Sequence, residues 1–234
     1  MPALKRDWTP HPAQQQIMTD GSRFRVVAAG RRFGKTKMSR GISIERGFAE
    51  PGAYIWYVAP SHGDAYELGF EAMLESIPDA LVADKMRSVP PSITLTNGTK
   101  YSFRSADGKL RGRGLDMIVV DEGGEIPNRA WKEDLRPSLS DTGGDAIFIG
   151  TPKGRNWFFE SFQRGNDDTF PEWASFQFST YDNPHIPDSE VEAARAELPE
   201  RVFKQEYLAI FLEDEGAVFG NVDERNTRPY AIDD

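Results

Sequence analysis

The stretch "VVAAGRRFGKTK", residues 26–37, decides how the chain is read. An apolar, strand-like run passes through a glycine-bearing loop into "KTKMSRGISIERGF", where Met38, Ile42 and Phe48 fall on related helical faces. A loop that cradles phosphates has this layout. Backbone N–H groups sit at a helix N-terminus, a glycine lets the backbone approach the ligand, a lysine reaches the β/γ oxygens and a hydroxyl can ligate Mg2+. The general spacing G-x-x-x-x-G-K-[ST] assigns Gly34, Lys35 and Thr36 to these tasks but asks for glycine at position 29, where the chain has Ala29. Adjacent Gly30 is the expected maker of the entry turn. Arg31 and Arg32 add two cations that a plain cradle does not need. The alternative is a chance GKT in a surface loop, and the strand–loop–helix context argues for a working site.

Downstream segments supply partners for such a site. "LDMIVVDE" (115–122) is an apolar strand ending in Asp121 and Glu122. Carboxylates at the end of a buried parallel strand sit where ligands bind in open α/β sheets. Asp121 is expected on Mg2+ beside Thr36, and Glu122 as the base that orients and deprotonates an attacking water. "DAIFIGTP" (145–152) places Thr151 at another strand end, where a hydroxyl can register a γ-phosphate. "KLRGRGLD" offers Arg111 and Arg113 on a glycine-flanked loop, either of which could stabilise the transition state; each could also be an ordinary surface arginine. "WTPHPAQQQI" contributes Gln14 for an adenine edge with aromatics nearby, a weaker signal that a plain helix start would also give.

Composition narrows the classes. The 234 residues can bury a substantial core as one large domain, or one with a small companion. There is no cysteine, and the three histidines have no metal-site spacing, so disulfide and zinc chemistry are not expected. No apolar run approaches the roughly 18–20 residues of a membrane span, and no signal-like segment opens the chain; a cytoplasmic protein is the expectation. The net charge of −9 is uneven. Residues 1–120 carry 17 Lys/Arg against 12 Asp/Glu, and residues 121–234 carry 11 against 25. The first half could hold a basic working face, or the second merely an acidic surface.

Near-continuous apolar strands at 24–30, 53–60, 115–122 and 145–152, alternating with helical stretches, predict a mostly parallel sheet covered on both faces. "SITLTNGTKYSFRSA" (92–106) reads as a hairpin turning at Asn97-Gly98, with Leu95 expected opposite Tyr101 and Ile93 opposite Phe103. Beyond residue 167 the expectation is a strand in "WASFQFSTYDNP", a helix in "SEVEAARAEL" with a capping box from Ser189 to Glu192, and a helix over "ERVFKQEYLAIF".

The stretches "AAGRRFGKT", "LRGRGLDMIVVDE" and "FIGTPKG" resemble the large terminase subunit of tailed double-stranded DNA viruses, the ATP-driven DNA-packaging motor. So does the tail "STYDNPHIPDSEVEAARAELPERVFKQEYLAIFLEDEGAVF"; together they cover about residues 12–219. The resemblance implies a P-loop NTPase of the additional-strand, catalytic-glutamate type, with a small C-terminal helical linker subdomain. The implied division is 1–166 as ATPase core, 167–219 as linker or lid, and 220–234 as a linker toward an absent nuclease domain, so DNA cleavage is not expected of this chain. ATP and Mg2+ are the implied ligands. Lys35 and Thr36 are implied on phosphate and metal, Asp121 on metal, Glu122 as base, and Thr151 in the coupling motif. Gln14, followed by Ile17, matches the adenine motif, Arg31 and Arg32 match the variant loop, and Arg111 matches an arginine reaching a neighbouring subunit's site. The implied partners are double-stranded DNA, the portal protein, the small terminase subunit and further copies of the chain in a ring, a pentamer by resemblance, with no membrane. The implied location is the host cytoplasm, with transient residence on the procapsid. Two rivals are a superfamily 2 helicase-like ATPase, which would need a second motor domain, and a nucleotide-binding docking module with little turnover.

Overall fold

The computed structural model describes residues 8–110 and 114–212. Eight strands form one sheet: β1 Phe24–Ala29, β2 Tyr54–Ala59, β3 Val82–Met86, β4 Ser92–Leu95, β5 Lys100–Ser105, β6 Met117–Val120, β7 Asp145–Gly150 and β8 Trp173–Phe178. Their order across the sheet is β3-β4-β5-β2-β6-β7-β1-β8. Neighbours from β5 through β8 pair in parallel, and β3-β4-β5 is antiparallel. The sheet is thus mostly parallel, as the apolar runs predict.

Alternation along each central strand feeds two cores. Val27, Ile55, Tyr57, Val119 and Ile149 face one side, packing with Ile17 of α1 (Pro12–Thr19) and Met38 and Ile42 of α2 (Lys35–Ala49). Val26, Trp56, Ile118 and Phe148 face the other, packing with Trp131, Leu135 and Trp157 from helical stretches 130–138 and Trp157–Arg164. Strands buried on both faces cannot show polar–apolar alternation, which is why they read as unbroken apolar runs. The placement of β7 between β1 and β6 is the additional-strand arrangement. It sets the C-terminal ends of these three strands side by side.

Several local expectations need correction. The hairpin pairs Ile93 with Tyr101 and Thr94 with Lys100, two residues tighter than expected. The face assignment survives, because a shift of two preserves side-chain parity; Ile93, Leu95, Tyr101 and Phe103 share one core. The tightness comes from Gly98 at φ 88 and from Asn97, whose Oδ1 accepts from Thr99 N at 3.1 Å. The helix Asp188–Glu197 is capped by Pro187 without a side-chain bond, so Ser189 lies inside it and the Ser189–Glu192 box does not form. The last helix stops at Glu206, short of the expected end, and Ala209 beyond it is left-handed at φ 53. The helix Trp157–Arg164 and edge strand β3 were not anticipated.

One strand of the sheet lies in the stretch expected as linker or lid. β8 pairs with β1 over Phe24–Ala29 and Trp173–Phe178, on the side opposite β7, and so flanks the phosphate-loop strand. The segment 220–234 lies outside the described residues, and among those described no helix is long and apolar enough to cross a membrane.

Candidate functional site

The ends of β1, β6 and β7 open onto a cavity of about 390 Å3. The loop lines one side with Arg31, Arg32, Gly34, Lys35, Thr36 and Lys37. Glu122, Glu125, Thr151, Lys153 and Glu206 line the other. Below it, α2 begins with Gly34 at φ 90 as its N-cap, and a helix start presents unpaired N–H groups and partial positive charge. Cations outnumber carboxylates in the lining, which suits a polyanion.

Lys35 is buried, and its ammonium donates to Ala29 O at 2.8 Å, Gly30 O at 3.2 Å and Thr151 Oγ1 at 3.2 Å. Burial lowers its pKa from the ordinary lysine value, and the Glu122 and Asp121 carboxylates oppose that shift. Thr36 Oγ1 donates to Asp121 Oδ2 at 3.0 Å. The same Asp121 oxygen accepts from Tyr57 Oη, and Asp121 Oδ1 accepts from Glu122 N at 2.9 Å. Burial raises the Asp121 carboxyl, while these donors and Lys35 pull it down. Oxygen donors alone, paired at the cavity edge, suit a small hard cation such as Mg2+ that keeps water and phosphate ligands.

Glu122 takes a left-handed conformation, φ 48 and ψ 50, which costs a non-glycine residue on the order of 1 kcal/mol. Just after it, Gly123 and Gly124 pass so close to Phe158 and to Thr151 O that a Cβ would meet each at 2.9 Å. This turn delivers the Glu122 side chain into the cavity, where Oε2 accepts from Thr151 N at 3.4 Å. Burial raises the Glu122 carboxyl above the ordinary range, offset in part by Lys35.

The loop differs from expectation at Gly30. Its φ is not positive, and the left-handed loop residues are Arg32 at φ 61 and Gly34. What Gly30 supplies is space, because a Cβ there would lie 2.4 Å from Tyr207 O and 2.6 Å from Thr180 Oγ1. Ala29, the last residue of β1, is fully buried and extended, so no glycine is needed at that position. Arg31 is paired with Glu206 at 2.7 Å, its side chain 65% exposed.

Gln14 does not line the cavity. Its amide donates to Phe33 O and Gly34 O, both at 3.3 Å, and accepts from His11 N at 3.2 Å, so it braces the loop from beneath. Trp8 lies against α2, its ring under Lys37 Nζ at 5.5 Å. Arg111 and Arg113 fall outside the described residues.

Thus Gly30, Arg31, Arg32, Gly34, Lys35, Thr36, Asp121, Glu122 and Thr151 converge, with Gln14 behind them. Sequence reasoning missed Lys37, Tyr57, Glu125, Lys153 and Glu206. A tyrosine in the apolar run "AYIWYVAP" was the one available signal for Tyr57.

A family profile described as the N-terminal part of the terminase large subunit, T4likevirus-type, matches residues 26–225. The large terminase subunit of Thermus virus P23-45 is 30% identical over 258 residues, covering 95% of this chain and 53% of that protein. That of Escherichia phage T5 is 32% identical over 203 residues, covering 84% and 46%. The chain spans about half the length of these curated relatives. Among solved structures, the large terminase ATPase domain of Thermus phage P74-26 superposes with a TM-score of 0.70 at 27% identity, covering 88% of this chain and 95% of that one. A match over most of the chain, on a sheet whose strand ends assemble the loop and the carboxylates, has one reading: the chain belongs to the terminase large subunit family.

Proposed function

We propose that this chain is the ATP-hydrolysing motor part of a viral genome-packaging terminase, moving double-stranded DNA into a procapsid. The observation that carries the reading is the convergence of Lys35, Thr36, Asp121, Glu122 and Thr151 at adjacent strand ends. The likeness to a phage ATPase domain at 27% identity supports it.

Loop N–H groups and Lys35 bind the triphosphate, Lys35 exchanging its bonds to Ala29 O and Gly30 O for phosphate oxygens. Thr36 and Asp121 would hold Mg2+, which would supply charge neutralisation on the phosphates when bound. Glu122 takes the proton of the water that attacks the γ-phosphorus. As the new O–P bond forms, the bond to the bridging oxygen breaks, and ADP leaves with that electron pair. A carboxyl raised by burial is a better proton acceptor than an exposed one. Thr151, bonded to Lys35 through its hydroxyl and to Glu122 through its N–H, links both groups to β7. Arg111 completes the site of a neighbouring copy in a ring, a pentamer by family resemblance, seated on the portal and fed by the small subunit. The motor works in the host cytoplasm on the procapsid.

The test is ATP binding and hydrolysis by the full chain with DNA present. Lys35→Ala is expected to lose ATP binding. Glu122→Gln is expected to bind ATP and lose about 10²–10⁴-fold in hydrolysis. Hydrolysis by Glu122→Gln at the parent rate would remove Glu122 as the base, and DNA binding insensitive to salt would count against a motor that grips phosphates.

A further inference from the structure

The back of the phosphate loop is held by a segment nearly 150 residues downstream. Four hydrogen bonds tie the backbone of residues 30–32 to it, besides the Arg31–Glu206 ion pair. Gly30 N donates to Phe178 O at 3.0 Å, and Arg31 N to Glu206 O at 2.7 Å. Thr180 Oγ1 donates to Arg31 O at 2.9 Å, and Asn183 Nδ2 to Arg32 O at 2.7 Å. Both side chains are buried.

The turn that presents them is itself fixed. Ser179 and Asp182 form a capping box, Thr180 N donates to Tyr207 O at 2.7 Å, and Asn183 Oδ1 accepts from His185 N at 3.0 Å. Thr180 and Asn183 therefore offer donors from a preorganised frame.

A trans peptide is planar, so its C=O and the following N–H point in opposite directions. Fixing Arg31 O on Thr180 turns the N–H of Arg32 away from the downstream turn. Fixing Arg32 O on Asn183 sets the next peptide plane, across the left-handed Arg32 at φ 61. L-residues disfavour that conformation, and external bonds hold it in place.

We infer that Thr180 and Asn183 are positioning residues for the phosphate loop, coupling its ATP affinity to the placement of the segment 178–207. The inference rests on the nucleotide-site reading above and adds a control point outside the cavity. Coupling is reciprocal: if the turn's placement raises ATP affinity, bound ATP tightens the turn by the same factor.

The experiment measures ATP affinity and turnover of the full chain with Mg2+ for Thr180→Val and Asn183→Asp. Asn183→Asp keeps the acceptor for His185 N and loses the donor to Arg32 O. Each is expected to weaken ATP binding about 5- to 10-fold, the scale of one lost hydrogen bond, with kcat at saturating ATP within about twofold of the parent. Thr180→Ser, which keeps the hydroxyl, is expected to restore parent affinity. If Thr180→Val and Asn183→Asp bind ATP like the parent while Lys35→Ala does not bind, the positioning assignment is wrong and the nucleotide site stands. If the parent itself binds no ATP, the site reading falls first. Should either variant fail to fold, amide exchange on the unmodified chain decides: residues 178–183 must gain protection on adding ATP, and unchanged exchange overturns the coupling.

Discussion

Thr36 and Asp121 meet across 3.0 Å at the cavity edge, and Tyr57 donates to the same carboxylate oxygen from the sheet side. A strand residue on one core face thus orients a carboxylate expected on the metal. Tyr57→Phe removes that donor with little change in volume. The Mg2+ concentration for half-maximal ATPase should rise about 10-fold, the scale of losing a ligand's supporting hydrogen bond. Titrating Mg2+ at fixed ATP checks it, and an unmoved midpoint would leave Tyr57 a packing residue only.

Ala29 and Gly30 give a paired prediction about the loop. Ala29→Gly restores the general motif, yet it removes a buried methyl and loosens a strand end. It should cost about 1–2 kcal/mol of stability with no gain in ATP affinity. Gly30→Ala drives a Cβ against Tyr207 O and Thr180 Oγ1 and should cost about 1–3 kcal/mol while weakening ATP binding. Urea unfolding and ATP titration read both, and tighter ATP binding by Ala29→Gly would restore the motif's usual logic.

The trans assignment of Arg111 is tested by mixing. If Arg111 acts in trans, ATPase rate per subunit should rise with protein concentration. An Arg111→Ala chain and a Glu122→Gln chain, each nearly inactive alone, should recover activity together, because some interfaces regain both groups. No recovery under assembling conditions would show that Arg111 does not act across the interface.

At the sheet's far end, Asp145 lies 3.6 Å from both Arg25 and Arg46. Asp145 Oδ1, Arg25 Nε and Arg46 Nε make no hydrogen bond within the described residues. Burial raises the Asp145 carboxyl above its ordinary range, and the two arginines offset this only partly. A carboxyl with a raised folded pKa contributes stability that is present below its unfolded pKa and is lost as pH rises through the folded value. Relative to Asp145→Asn, the parent should therefore lose stability as pH rises through that window, by at most about 1.4 kcal/mol per pH unit. Urea midpoints for both chains across the window provide the measurement, and a parent advantage that grows with pH would reverse the assignment.

Much of the fold was legible because its signals are local. β1, β2, β6 and β7 announce themselves as short apolar runs, and Gly34-Lys35-Thr36 and Asp121-Glu122 sit at strand ends by sequence position alone. What escaped was non-local. Nothing in Trp173–Phe178 tells that it pairs with β1, and nothing near Thr180 or Asn183 tells that they seize carbonyls 149 and 151 residues away. The amide of Gln14 likewise reaches loop carbonyls, those of Phe33 and Gly34, 19 and 20 residues away. At Ser189 a valid local pattern lost to Pro187, which starts the helix one residue before it.

The β1–β8 ladder has a mechanical consequence. Residues beyond Phe178 lead away from a strand that runs parallel to β1 with six register pairs. Tension arriving from that side and directed along β8 loads the pairs together in shear; it does not peel them apart one at a time. The last pair, Ala29 with Phe178, abuts the phosphate loop. A pull on Phe178 along β8 is thus borne in part by the strand that leads into the phosphate loop, and the sheet stiffens that loop against it.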